Sequence, residues 1–307
     1  MVLAAAFAGA VPVPAEAETL VKVGWCARTV SAAAAPFAIA TKLGWFAKDG
    51  LKIELAPLPG STDCVKLVAT GDLPYSLPSV EPLAIIRPQG VKAKVFYTAY
   101  QGNIYGIAVP EESPVKSFAD LKGKNIGLIS MASGGLIIAR ALAATNGMDP
   151  DKDVNLVVAG EGAQTAALLR SKQVDALSQF DTQYAMVENA GVKLRMLDTK
   201  DIDRYPSNGF IALEATLQKR RPEAVALAQG YARGTVFAMA NPRLERGGVT
   251  RWGESSVENY AAYAEFMLKW GVIKEKVAAT DLVTNDLVGD INKFDAAAIA
   301  AEAKAYR

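Results

Sequence analysis

The sequence predicts an α/β protein with parallel strands that folds as two lobes. From Leu20 to Leu213, short apolar segments with an alternating pattern are separated by segments with the apolar spacing of helices. The chain has 307 residues, of which 51% are hydrophobic and 21% are charged, so it can bury more than one core. The sequence shows no repeat of solenoid period, which argues against a repeat protein.

The first strand–helix–strand unit is the clearest part of this pattern. Leu20–Trp25 is predicted to be a strand, because its valines alternate with a lysine. Pro36 starts a helix that we expect to reach Lys48. Proline suits the first turn of a helix, because the N–H groups there have no acceptor within the helix and proline loses no hydrogen bond by lacking one. Leu51–Leu55 is the next strand, and this order implies a right-handed parallel crossover.

The same alternation continues along the chain. Further strands are predicted at Tyr75–Leu77, Lys94–Tyr100, Tyr105–Val109, Asn125–Ile129, Val154–Val158, Val174–Gln179, Lys193–Leu197 and Gly209–Leu213. The helices between them are predicted at Asp63–Thr70, Val80–Gln89, Ser117–Leu121, Gly135–Asn146, Ala163–Ser171 and Tyr184–Asn189. The remaining pattern is helical, at Pro222–Ala240, Ser256–Trp270 and Ala296–Tyr306. This last part has no sheet of its own, so we expect it to pack on an earlier lobe.

Residues 1–17 resemble a secretory signal. Met1–Pro14 is small and apolar, and Ala15-Glu16-Ala17 fits a cleavage site after Ala17. The segment is too short to span a bilayer, and no lysine or arginine precedes it. A disordered alanine-rich tail is the alternative interpretation. Because no cysteine follows in a lipoprotein position, we expect a soluble periplasmic protein.

Composition excludes several classes of function. Lys+Arg is 33 and Asp+Glu is 32, so the net charge of +1 offers no basic face for nucleic acid. Lys219-Arg220-Arg221 is interpreted as a solvated helix start. With no histidine and two cysteines, histidine-based catalysis and a cysteine cluster for zinc are excluded, and we expect no catalytic residue, metal or cofactor. Cys26 and Cys64 would lie near one sheet edge, and whether they form a disulfide stays open.

A ligand is expected outside the carboxyl ends of the strands, where open α/β sheets bind their ligands. The segments leaving these ends are rich in small polar residues, and they are Trp25–Arg28, Gly60–Asp63, Leu77–Glu81, Ser130–Gly135, Gly160–Gln164 and Phe180–Thr182. Ser133 and Gly134 precede a helix whose unpaired N–H groups favour an anion, unless Ser133 only caps that helix. Ser61 and Thr62 stand at the start of another helix and follow the same reasoning.

Five further side chains in these segments are candidate ligand contacts. Trp25 and Phe180 can stack on a ring or fill the core. Arg28 can pair with a carboxylate or sulfonate, or lie on the surface. Asp181 and Glu81 can accept a hydrogen bond from an amino or ring N–H group, or from backbone amides.

The motifs of the chain also follow the order found in one protein family. They are Pro36–Leu55 (PFAIATKLGWFAKDGLKIEL), Gly60-Ser61, Asp120–Ile129 (DLKGKNIGLI) with Ser130–Gly135, and Leu168–Ala176 (LLRSKQVDA). In order and spacing, from roughly Leu20 to Ala240, the chain resembles the binding proteins of ABC importers for nitrate, taurine, alkanesulfonates and thiamine-pyrimidine precursors. The helical remainder matches only loosely.

The resemblance implies a type II periplasmic-binding fold with two doubly wound lobes. Residues 18–100 and 209–307 would form lobe one, and residues 101–208 would form lobe two. The crossings near Tyr100-Gln101 and Ser207-Asn208 would act as the hinge. The ligand contacts that the resemblance implies by position are Trp25, Ser61, Thr62, Ser79, Ser133, Gly134 and Asp181.

The function that the resemblance implies is capture without catalysis. A monomer would bind a small organic anion or heteroaromatic compound and deliver it to an ABC permease in the inner membrane. The first loop, Cys26–Ala35, is alanine-rich and lacks the aromatic and asparagine-rich features of pyrimidine-precursor binders. One alternative is an enzyme on the same fold that acts on a small heterocycle with Asp181 and Glu81. Another is an effector-sensing module, although no helix-turn-helix segment precedes Leu20.

Overall fold

Ten strands are present in the computed structural model, which describes residues 18–243 and 248–306. In chain order they are β1 (Thr19–Trp25), β2 (Leu51–Pro57), β3 (Tyr75–Ser76), β4 (Ala93–Thr98), β5 (Tyr105–Pro110), β6 (Asn125–Leu128), β7 (Asn155–Val158), β8 (Ala176–Phe180), β9 (Leu194–Met196) and β10 (Gly209–Leu213). Each of them lies on a segment that the sequence predicts to be a strand, with ends that differ by a few residues. The secretory signal predicted for residues 1–17 falls outside the described residues.

The helices of the described residues alternate with the strands and then dominate the last third. They are α1 (Ala35–Lys42), α2 (Trp45–Lys48), α3 (Ser61–Thr70), α4 (Glu81–Ile86), α5 (Gly134–Thr145), α6 (Ala163–Arg170), α7 (Asp181–Asn189), α8 (Lys200–Asp203), α9 (Glu214–Lys219), α10 (Arg221–Met239), α11 (Val257–Lys269), α12 (Ala279–Leu282), α13 (Val288–Ile291) and α14 (Ala296–Ala305). Short 3₁₀ turns occur at Ala32–Ala34, Arg87–Gln89 and Phe118–Leu121. None of the helices in the described residues combines the length and the apolar composition of a membrane-spanning segment.

The strands form two five-stranded sheets, ordered β2-β1-β3-β10-β4 and β7-β6-β8-β5-β9. We call the part of the chain built on the first sheet lobe one, and the part built on the second sheet lobe two. β1 runs parallel to β2 and β3, and β6 runs parallel to β7 and β8, as the strand–helix–strand pattern predicts. The mixed α/β class and the two sheets are therefore confirmed.

The parallel arrangement that the strand–helix pattern predicts does not extend to β5 and β10. β5 is antiparallel to β8 and β9, and β10 is antiparallel to β3 and β4. Each is the first strand after the chain has passed from one sheet to the other. The chain therefore does not enter it through a strand–helix–strand crossover within the same sheet, which sequential parallel neighbours need. Hydrophobic periodicity carries no information on strand direction, so the sequence does not reveal this reversal.

The helix predicted from Pro36 to Lys48 is interrupted. Gly44 adopts φ +70°, a left-handed conformation that glycine reaches at no steric penalty, and it separates α1 from α2. The 19-residue α10 packs against α1, α13 and α14, so the C-terminal helices do cover lobe one as expected. A Cβ at Gly234 of α10 would lie 2.1 Å from the Pro36 carbonyl oxygen, and only glycine permits this approach.

Two chain segments connect the lobes, and they are hydrogen-bonded to each other. The main-chain N–H groups of Ala99 and Tyr100 donate to the Asn208 carbonyl at 3.0 and 3.1 Å. The Ser207 N–H donates to the Tyr100 carbonyl at 3.0 Å. The crossings thus form one short ribbon at the places predicted for the hinge, while the lobe limits and the hinge motion stay predictions.

Candidate functional site

A small pocket lies between the two lobes. Its walls are built from residues at the carboxyl ends of β1 and β8, at the start of β5 and in the two crossings. The lining residues are Trp25, Cys26, Ala27, Ala33, Leu77, Tyr100, Ile104, Tyr105, Phe180, Asp181 and Asn208. This is the strand edge at which the sequence places a ligand.

Four aromatic side chains make up much of the pocket wall. Trp25 comes from lobe one, Tyr100 from the first crossing, and Tyr105 and Phe180 from lobe two. The rings of Tyr105 and Phe180 meet edge to face, with centroids 6.1 Å apart and planes at 84°. Trp25 is 6% exposed, and its indole N–H donates to the Thr29 carbonyl at 2.9 Å. Because that N–H is used within its own loop, the indole offers the pocket an apolar face.

Few polar groups face the pocket. Asp181 is the first residue of the nine-residue α7, where the helix dipole favours a negative charge, and it accepts from the Thr182 N–H at 2.6 Å. The amide N–H of Asn208 donates to the Leu77 carbonyl at 3.0 Å. Burial, and then the nearby Asp181, raise the pKa of Tyr100 to about 12, so its phenol stays protonated at neutral pH. None of the described lining residues is basic, and Asp181 supplies the charge of the wall.

A layer of buried polar residues, Ser61, Ser79 and Glu81, lies behind the wall of the pocket. The Ser61 hydroxyl accepts from the Ser79 N–H at 3.1 Å. Glu81 is 1% exposed and accepts from the Tyr263 hydroxyl at 2.5 Å. Burial is the main cause that raises the pKa of Glu81, with the Tyr263 hydrogen bond acting in the opposite direction.

The start of α5 packs against this layer. A Cβ at Gly134 would lie 2.6 Å from the Ser79 hydroxyl oxygen and 2.7 Å from the Tyr105 hydroxyl oxygen. Lobe two therefore approaches lobe one at a point where only glycine fits. The Ser133 hydroxyl accepts from the Gly135 N–H at 3.1 Å, so Ser133 caps its own helix, as the alternative interpretation of the sequence holds.

One set of contacts between the lobes involves the loop after β1, residues 26–31. The main-chain N–H groups of Arg28 and Thr29 each donate to the Glu161 carboxylate at 3.1 Å. The hydroxyls of Ser31 and Thr182 lie 3.1 Å apart. Glu161 and Thr182 belong to lobe two, so this loop bridges the mouth of the pocket.

A second set of contacts involves residues 59–62, before and at the start of α3. The Thr62 N–H donates to the Ala132 carbonyl at 3.1 Å, and the Ser130 hydroxyl donates to the Pro59 carbonyl at 2.7 Å. A Cβ at Gly60 would lie 2.4 Å from the Ala132 oxygen. With both sets of contacts made, the lobes are in a closed arrangement.

A disulfide joins the two contact segments of lobe one. Cys26 lines the pocket and is bonded to Cys64 in the first turn of α3, with the two Cα atoms 5.8 Å apart. The sequence leaves this bond open, and the structure contains it. Because both segments contact lobe two, the disulfide holds the lobe-one side of the pocket mouth together as one unit.

The ten residues that the sequence nominates fall into three groups. Those that line the pocket are Trp25, Phe180 and Asp181. Those that are buried behind it or at the start of α5 are Ser61, Ser79, Glu81, Ser133 and Gly134. Arg28 and Thr62 have exposed side chains at the mouth and contact the other lobe through their main-chain N–H groups. Ligand contact by any of the ten stays a prediction.

Sequence reasoning missed the lining residues that lie in and beside the crossings. These are Tyr100, Ile104, Tyr105 and Asn208. A usable signal existed, since the crossings were predicted near Tyr100 and Asn208. The segments that join two lobes lie at the bottom of the cleft between them. Residues in a predicted crossing can therefore be proposed from the sequence as lining residues.

Comparisons with known proteins agree with this architecture. A model for the family described as NMT1/THI5 like matches residues 31–244. The riboflavin-binding protein RibY of Chloroflexus aurantiacus is 25% identical over 212 residues, which cover 68% of this chain and 59% of that protein. The chain therefore matches less than two thirds of the length of this relative.

Solved structures share the fold, and two of them illustrate the similarity. A protein of Bordetella bronchiseptica RB50 matches with a TM-score of 0.74 and 20% identity, covering 89% of this chain and 97% of that chain. The alkanesulfonate-binding protein SsuA of Xanthomonas axonopodis pv. citri, bound to MOPS, matches with a TM-score of 0.63 and 16% identity, covering 87% of this chain and 99% of that chain. The predicted periplasmic-binding fold is confirmed.

Proposed function

The chain belongs to the NMT1/THI5-like family, and from this premise we propose that it is an extracytoplasmic solute-binding protein that delivers a small heteroaromatic compound to an ABC importer. RibY and SsuA are named as binding proteins for riboflavin and alkanesulfonates, which supports a role in capture. Export to the periplasm, docking on an inner-membrane permease and action as a monomer are parts of the same proposal.

The pocket between the lobes is the observation that carries this proposal. Small-molecule sites occur preferentially at the interface between two domains, and this pocket lies between the two lobes. Its four aromatic side chains suit a planar ring, since each aromatic pair is worth about 0.5–1.5 kcal/mol beyond its buried area. Of the two ligand classes that the sequence allows, the lining favours the ring compound over the organic anion.

Closure gives the pocket its mechanism. A ring between Trp25 of lobe one and Phe180 of lobe two contacts both lobes only when they are together. A ligand shifts a conformational equilibrium by its differential contacts with the two states, so such a ring favours the closed form. The contacts at Glu161 and Ala132 then add hydrogen bonds worth about 0.5–1.5 kcal/mol each.

An enzyme on the same fold is the alternative that the sequence leaves open. It requires Asp181 and Glu81 to converge on one ligand. Asp181 lines the pocket, whereas Glu81 lies behind the wall with its carboxyl hydrogen-bonded to Tyr263. This separation supports binding without catalysis, and chemical turnover of a bound ring compound would favour the alternative.

The test is a ligand search with a matched pair of variants. Native mass spectrometry of freshly purified protein comes first, followed by a thermal-shift screen of small ring compounds and of sulfonates such as MOPS. A ligand at a hundredfold excess over its Kd stabilises the folded state by about 2.7 kcal/mol, which such a screen detects.

We expect one ring compound to bind per chain. Trp25→Phe should weaken its binding, whereas Trp270→Phe, in the same lobe and outside the pocket lining, should leave it unchanged. Equal affinity in the two variants, or a screen in which only sulfonates bind, would contradict the proposal.

A further inference from the structure

The charge of the pocket wall points to a more specific ligand. Asp181 is an acidic residue, and no described lining residue is basic. The faces of aromatic rings carry a negative electrostatic potential, and a cation placed over them is attracted by about 0.5–2 kcal/mol, more strongly where water is excluded. The wall combines four such rings with one carboxylate, so its potential favours positive charge.

Two side-chain N–H groups of the lining that could bind an anion are already engaged. The indole N–H of Trp25 donates to Thr29, and the amide N–H of Asn208 donates to Leu77. An anion in the pocket would therefore find few free donors in the wall.

The two helix starts that the sequence nominates as anion sites are also occupied. The Thr62 N–H of α3 donates to the Ala132 carbonyl, and the Gly135 N–H of α5 donates to the Ser133 hydroxyl. Gly134 lies against Ser79 with no room for even a Cβ between them. The closed lobes have thus filled these places with groups of the chain itself.

The carboxylate of Asp181 keeps the capacity to accept from a ligand. Its Oδ1 accepts from the Thr182 N–H, and an ionised carboxylate has about four acceptor positions. At the start of α7 the helix dipole stabilises its negative charge. Tyr100, whose phenol stays protonated, borders it and adds a ring face rather than a second charge.

From these observations we infer that the ligand is an organic cation, a small ring bearing a positively charged amine, amidine or ring nitrogen, with its charge beside Asp181 and its ring between Trp25 and Phe180. This inference deepens the proposed function and rests on it. The aromatic walls supply affinity for any small ring, and Asp181 supplies the selection for charge.

A charge series of matched shape tests the inference. Benzamidine, benzamide and benzoate are single rings of nearly the same size, with charges of about +1, 0 and −1 at neutral pH. Their Kd values are measured by isothermal titration calorimetry with the full chain and with two variants. Asp181→Asn removes the carboxylate with little change in shape, and Glu112→Gln removes an exposed charge of lobe two outside the pocket lining.

We expect benzamidine to bind about fivefold more tightly than benzamide, because the Asp181 side chain is exposed and an exposed ion pair is worth at most about 1 kcal/mol, and we expect benzoate to bind more weakly than benzamide. Asp181→Asn should bring benzamidine within about twofold of benzamide without changing the Kd of benzamide, and Glu112→Gln should preserve the wild-type ratio. Comparable binding of all three compounds, or an unchanged ratio in Asp181→Asn, overturns the inference and leaves the proposed ring pocket standing. If none of the three binds, the inference is overturned, and if Trp25→Phe also leaves every ligand of the screen unaffected, the proposed function fails with it.

Discussion

Removal of the Cys26–Cys64 disulfide is expected to destabilise lobe one by about 4 kcal/mol. The bond closes a loop with a sequence separation of 38 residues. In the chain-entropy relation, a loop of that length restricts the unfolded chain by about 13 cal/mol/K, which is about 4 kcal/mol at room temperature. The double variant Cys26→Ala/Cys64→Ala is the suitable perturbation. Alanine is preferred to serine because Cys64 is fully buried, and a hydroxyl at that position would be removed from water at a cost in free energy.

The tryptophan distribution makes the assay specific for one lobe. The four tryptophans of the chain, Trp25, Trp45, Trp252 and Trp270, all lie in segments that pack on the first sheet. Urea unfolding followed by tryptophan fluorescence therefore reports the free energy of unfolding of lobe one. Reduction of the wild-type protein should produce the same loss, and the reductant should leave the double variant unchanged.

A loss below about 1 kcal/mol would refute the reasoning, because it would mean that the bond does not restrict the unfolded chain as the relation requires. A large loss caused by the reductant in the double variant would show that the effect is not due to this disulfide.

Three further predictions follow from the contacts of the closed form. Gly60→Ala should weaken ligand binding about tenfold and increase the radius of gyration measured by X-ray scattering, because the new Cβ would lie 2.4 Å from the Ala132 oxygen. The control variant Gly289→Ala, whose Cβ would have nothing within 4 Å, should change neither quantity. Equal effects of the two variants would contradict this prediction. Burial raises the pKa of Glu81, so the folded protein holds this proton more tightly than the unfolded chain does. The free energy of unfolding is therefore higher at low pH, and it falls as the pH rises and the unfolded chain releases the proton. Glu81→Gln should therefore raise the melting temperature above that of wild type at about pH 8 more than at about pH 4, and an equal difference at both pH values would count against a buried carboxyl. Arg28→Ala should change the ligand Kd by less than about twofold, because the side chain is exposed outside the pocket lining, and a tenfold loss in calorimetry would place Arg28 at the ligand after all.

Local patterns in the sequence were sufficient to predict most elements of the fold. The alternating valines of β1, Pro36 at the start of α1 and the apolar stripe of α11 each depend on neighbours within a few residues. The reversal of β5 and β10 could not be predicted in this way, because strand direction depends on how the chain enters each lobe.

The candidate site was predictable to the extent that it follows from the strand edge. Trp25 and Asp181 line the pocket at the edge where the carboxyl ends of parallel strands meet, and this is the basis on which the sequence predicts them as ligand contacts. The sequence allows Ser61 and Ser133 a role either at a ligand or at a helix start, and in the structure their hydroxyls accept from main-chain N–H groups of their own lobe. The sequence does not decide between these roles, because the same residue types suit both.

The most direct test of a ring-binding pocket between two closing lobes is a crystal structure of the chain with the ring compound that gives the largest thermal shift. One molecule should lie between Trp25 and Phe180, with a polar hydrogen directed at the Asp181 carboxylate and the contacts at Glu161 and Ala132 intact. A ligand found only in a groove on the outer surface of one lobe, with the space between Trp25 and Phe180 filled by water, would contradict the account.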